Sequence, residues 1–105
     1  MSRPVIGIIG ASFLINDDYH IFGAGKLNTA AVAEACGAVP IILPTDPDLS
    51  DISELMALCD GFVFTGARAN VHPEEYGEAA TPAHGDFDRD RDRVALPLIR
   101  ACIES

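Results

Sequence analysis

The stretch Asp60–Gly77, DGFVFTGARANVHPEEYG, decides how the rest of the chain is read. Phe62-Val63-Phe64 is a short apolar run that stops at Thr65-Gly66. A run of this kind ending on a glycine turn reads as a buried strand that delivers a loop to one edge of a sheet. The loop carries Asn70, His72, Pro73, the acids Glu74 and Glu75, and Tyr76-Gly77. In open α/β sheets, ligands sit beyond the carboxyl ends of the strands. Function is therefore sought in this loop, with the remainder as its scaffold.

Working upstream, Ile52, Leu55, Met56 and Cys59 recur at i, i+3, i+4 and i+7, one face of a helix. Asp48 or Ser50 is the expected N-cap, and Asp60-Gly61 is the stop. Cys59 on that stripe reads as a small core residue. Val39–Leu43 is a second apolar strand, with Pro40 near its start, where a missing N–H does least harm. Lys26–Cys36 places Leu27, Ala31, Val32, Ala35 and Cys36 on one helix face, and Gly37 suits the position just past its end. Phe13–Phe22 has no clear period and contains Asn16-Asp17-Asp18, so it is expected to be a loop. The run from Pro4 to Ile9 is continuous, apolar and rich in β-branched residues. It predicts a parallel strand buried on both faces. Gly7, Gly10, Gly23 and Gly25 do not make the phosphate-binding G-x-G-x-x-G.

Downstream, Asp86 to Arg93 alternates in charge, the usual mark of a solvated helix start. Val94, Leu98, Ala101 and Cys102 form the apolar stripe. Pro97 either kinks this helix or lies near its beginning. The order strand, helix, strand, helix, strand, loop, helix is the α/β pattern of a doubly wound, flavodoxin-like parallel sheet.

At 105 residues the chain has room for one domain, and its 49% hydrophobic content predicts a packed core. A formal charge of −9 disfavours nucleic acid and anionic membrane as partners. The start of the chain lacks the parts of a signal peptide, and Cys36, Cys59 and Cys102 form neither a C-x-x-C nor an even set. These features predict reduced thiols and a cytoplasmic location. No cofactor and no metal are expected. His84-x-Asp86-x-Asp88 is set aside as a metal site because its ligands share one short stretch. His72, a lone loop histidine, is expected to be exposed.

Several of these residues match a known family. They are Pro4-Val5-Ile6-Gly7-Ile8, the segment Cys36-Gly37-Ala38-Val39-Pro40, Leu43-Pro44 and Asp60-Gly61. To them add the block Thr65-Gly66-Ala67-x-x-Asn70-Val71-x-Pro73-x-x-Tyr76-Gly77, then Arg91-Asp92 and Leu98-Ile99-Arg100-Ala101. Through them the chain resembles the N-terminal half of the class I glutamine amidotransferase-like hydrolases, in the γ-glutamyl-γ-aminobutyrate hydrolase branch. The resemblance covers nearly all of residues 1–105, and implies that they are the first part of a single, larger domain.

What the resemblance implies is hydrolysis of a γ-glutamyl amide, or of glutamine, by a cysteine in a Gly-x-Cys-x-Gly-type elbow, assisted by a histidine and a glutamate. No such elbow occurs here, so none of the three cysteines takes a catalytic role. The implied contribution of this chain is the oxyanion-hole turn at Gly66 and Ala67. Relatives often carry Gly-Gly at this turn. Arg68, Asn70 and Tyr76 are the implied substrate-binding residues. A chain of this kind is expected to be inactive alone and to associate with a complementary C-terminal half or with copies of itself. Two other classes are weighed beside it. One is a non-catalytic half-domain that acts by association. The other is a flavodoxin-like receiver or nucleotide-binding domain, which the Gly10-Ala11-Ser12 and Thr65-Gly66 strand ends disfavour.

Overall fold

A computed structural model of the protein describes residues 3–66, 71–81 and 87–105. Its centre is a parallel sheet of β1 (Val5–Ile9), β4 (Val39–Leu43) and β5 (Gly61–Phe64), in the order β4-β1-β5. The first strand thus lies between the two that follow it in the sheet, as in the flavodoxin-like order of doubly wound sheets. Ladder register runs from Val5 opposite Val39 to Ile9 opposite Leu43, and from Ile6 opposite Gly61 to Ile9 opposite Phe64.

Alternation along β1 feeds two cores. Ile9 packs with Leu43, Leu55, Cys59, Val94, Ala95 and Leu98, while Ile8 packs with Val32 and Ala38. The helices α2 (Ile52–Leu58) and α3 (Arg89–Glu104) therefore cover one face. On the other face lies the π-helical turn Ala31–Ala35, which packs through Val32 and continues α1 (Lys26–Ala30), a turn that buries no residue itself. Gly37 follows with φ +64°, the left-handed geometry expected of a helix-ending glycine. Cys59 is buried in the first core, as its place on the stripe predicted. Pro97 lies well inside α3, so it does not mark the start of that helix.

The sequence reading of the elements needs correction at several points, one of them the first helix, where Val32 alone of the expected apolar face is buried and Leu27 is 86% exposed. Phe13–Phe22 is not a loop. It belongs to an antiparallel hairpin of β2 (Ala11–Ile15) and β3 (Tyr19–Gly23), which leaves directly from the carboxyl end of β1. Asn16 and Asp17 take positive φ, 52° and 63°, at its turn, which suits the right-handed twist of a hairpin. Another correction is the cap of α2, which is Asp51. Its carboxylate accepts from Ser53 N at 2.9 Å and Glu54 N at 3.2 Å. Ser50 is engaged elsewhere, donating its hydroxyl to Pro44 O at 3.0 Å, and Asp48 lies in the preceding turn, where its N–H donates to the Asp46 carboxylate at 2.9 Å. A further correction concerns the charged run before α3. It is only partly solvated, because Asp92 is buried and Arg91 half-buried.

Candidate active site

The carboxyl ends of β1 and β5 lie side by side and are bound together. Thr65 donates to Ile9 O twice, from its N–H at 3.1 Å and from its hydroxyl at 3.0 Å. One residue later the chain reaches Gly66, which is exposed. Among the described residues nothing lies within 4 Å of a Cβ built on Gly66, and its φ is not in the left-handed region. Neither packing against the described residues nor backbone strain demands glycine there. With no described residue at that place, the peptide is open on this side to close approach by a ligand.

The first turn of α3 closes this edge. Asp88 caps the helix, accepting from Arg91 N at 3.1 Å, and accepts from the Ser12 hydroxyl at 3.4 Å through its other oxygen. Side chains of a helix lean toward its N-terminus. The Arg91 guanidinium accordingly reaches back to the strand ends, donating from Nε to Gly10 O at 2.6 Å and from Nη2 to Thr65 O. A planar fork that stays charged fits two neighbouring carbonyls in a way a lysine does not.

The far end of the loop is held by the next residue. Asp92 is 4% exposed and accepts from His72 N at 3.0 Å. This corrects the expectation that His72 is solvated: it is buried, with its ring 4.4 Å from that of Phe87. Its Nδ1 accepts from Glu74 N at 3.2 Å and so caps the single 3₁₀ turn Pro73–Tyr76. An exposed ion pair, Arg89 to Glu74 at 3.0 Å, crosses the same junction.

Of the residues singled out from sequence, Gly66 and Tyr76 are among the described ones. Gly66 stands at the expected strand end. Tyr76 is 53% exposed at the end of the 3₁₀ turn and belongs to neither core. Ala67, Arg68 and Asn70 lie outside the described residues, as do His84 and Asp86. Asp88 is a helix cap, and among the described residues no group of three His, Cys, Asp or Glu side chains is placed to hold a metal ion. The periodicity of the sequence showed Arg91 and Asp92 as members of a charge run, with no role in the site. Their presence among the family-matched residues was the signal that they did more.

A cleft of about 230 Å³ opens on this edge between the hairpin and the end of β4, with Ser12, His20, Thr45, Asp46 and Asp90 among its lining residues. It is smaller than the ~300 Å³ at which ligand pockets usually begin.

Comparison with known proteins agrees with this geometry. Residues 4–105 match the model of the family described as Peptidase C26. The chain is 25% identical over 107 aligned positions to the glutamine amidotransferase-like protein RP404 of Rickettsia prowazekii (strain Madrid E), covering 97% of this chain and 37% of that protein. It is 38% identical over 74 positions to the glutamine amidotransferase-like protein YvdE of Lactococcus lactis subsp. lactis (strain IL1403), covering 70% of this chain and 30% of that protein. The chain thus spans about a third of the length of these relatives. With nearly its whole length matched and the parallel sheet in the expected order, the chain belongs to the Peptidase C26 family.

Proposed function

We propose that this chain supplies the electrophile-stabilising part of an amide hydrolase site whose substrate is glutamine or another small γ-glutamyl amide. The observation that carries the reading is Gly66, exposed at the carboxyl end of β5 with no described residue within 4 Å of where a side chain would stand. In amide hydrolysis by a thiolate, sulfur attacks the carbonyl carbon and the carbonyl oxygen gains negative charge. A backbone N–H already aimed at that oxygen stabilises the tetrahedral intermediate without reorganising during the reaction. Gly66 supports the reading by position, and Ala67 would be its neighbour donor. Arg68 and Asn70 are suited to the carboxylate and amine of the glutamyl group, and Tyr76 to a wall of the same pocket. The γ-glutamyl-γ-aminobutyrate amide is the finer substrate proposal. The family match and the names of the relatives support the amide-hydrolase class.

The nucleophile, its histidine and its glutamate come, in this reading, from a complementary segment. Ammonia or amine release is then expected from the longer polypeptide that joins the two parts, and none from residues 1–105 alone. Turnover of γ-glutamyl amides by the 105-residue chain, abolished by Cys102→Ser, would overturn the assignment.

A further inference from the structure

We propose that Arg91 is a positioning residue that fixes the direction of the Gly66 N–H. The inference rests on reading Thr65-Gly66 as the oxyanion turn. The Thr65 carbonyl and the Gly66 N–H belong to one peptide unit. No peptide among the described residues is cis, so the two dipoles point in opposite directions across a rigid plane. Arg91 Nη2 donates to Thr65 O. Whatever holds that oxygen on the helix side turns the Gly66 N–H toward the opposite side.

The clamp is itself braced. Arg91 Nε donates to Gly10 O at 2.6 Å, which sets the guanidinium against β1 as well as β5. Asp88 accepts the Arg91 backbone N–H at 3.1 Å. Asp92, on the following residue, accepts from His72 N at 3.0 Å. Two consecutive residues of one helix turn therefore bind the backbone at Thr65 and at His72. Flipping the Thr65–Gly66 peptide would strip a half-buried guanidinium of an acceptor, which disfavours the flipped state. A cation on the carbonyl also polarises the same peptide and strengthens its N–H as a donor.

The test compares Arg91→Gln, Arg91→Lys and the exposed control Arg93→Gln in the polypeptide that carries the nucleophile. It reads steady-state hydrolysis of glutamine and a γ-glutamyl amide, together with the ¹H–¹⁵N resonance of Gly66. Loss of an interaction made only in the transition state lowers kcat and leaves KM nearly unchanged. Arg91→Gln is expected to lower kcat by about 10- to 100-fold with KM within about twofold, since an oxyanion donor is here misdirected rather than removed. The Gly66 resonance should move while those of Ile8 and Leu98 stay in place. Arg91→Lys should fall between, because one ammonium does not reproduce the fork. If Arg91→Gln does not fold, Arg91→Lys alone decides by the same readouts. An unmoved Gly66 resonance, or a KM effect with unchanged kcat, overturns the proposal. A Gly66 resonance that moves in a polypeptide with no amide hydrolysis in the unmutated form upholds the positioning role and sinks the hydrolase reading instead.

Discussion

At the scale of single residues, Gly10 shows what close approach requires. A Cβ there would lie 2.0 Å from Gly23 O, a backbone atom that cannot swing aside. Gly10→Ala is expected to lose about 1–3 kcal/mol or more and to lower Tm by roughly 5–20 °C. A thermal unfolding curve that superimposes on that of the unmutated chain would refute this. The cysteines separate in the same physical terms. Cys36 is exposed, Cys102 is half-buried with its Sγ 3.9 Å from Met56 Sδ, and Cys59 is buried. Burial first, and the Asp60 charge second, push the Cys59 thiol above its ordinary range. The thiolate is the reactive form, so Cys36 should be alkylated first and Cys59 only on denaturation. Mass spectrometry after timed labelling reads the order, and early modification of Cys59 contradicts it.

At the scale of elements, the Asp51 cap couples α2 to pH. Its carboxyl is held below its ordinary value of 3.8, chiefly by the Ser53 hydroxyl and then by the Glu54 N–H. A depressed folded-state value means the contribution is present above the unfolded value and is lost as pH falls through the folded one. Asp51→Ala should therefore lower urea resistance at pH 7, and the gap to the unmutated chain should shrink as pH falls below about 3.8. A gap that stays constant from pH 7 to pH 2 would contradict this. The strands β1, β4 and β5 and the stripes of α2 and α3 were legible because each places continuous or periodic apolar residues against one core. The hairpin was not. Phe13, Leu14, Ile15, Tyr19 and Phe22 are all exposed, so no buried face imposes alternation, and its turn uses Asn16-Asp17 rather than an Asn-Gly pair. The cap was misplaced because hydroxyl traffic between Ser50 and Pro44 is tertiary detail. In the site, the position of Gly66 was legible from strand-then-glycine. The grip of Arg91 on two carbonyls was not, since a charge run says nothing about which member folds inward.

At the scale of the molecule, β4 and β5 are both edge strands of the described sheet, and edge strands present unpaired backbone groups. Ile42, Ile99 and Ile103 are exposed at 40%, 36% and 77%. Together with the apolar hairpin, these features favour association of the isolated chain with a complementary segment or with itself. Size-exclusion chromatography over a range of concentrations should show an apparent mass that rises with concentration, and a constant monomer mass would count against it. The central place of β1 carries a further consequence for how the chain is made. Val5 has no sheet neighbour until Val39 has been synthesised, and Ile9 none on its other side until Phe64 has. At about 5–20 residues per second, that wait lasts roughly 3–10 s. During it the most apolar strand of the protein, with Ile8 and Ile9 destined for complete burial, is open on the ribosome. That nascent strand can first gain a sheet partner on each side once Leu43 and then Phe64 have been added.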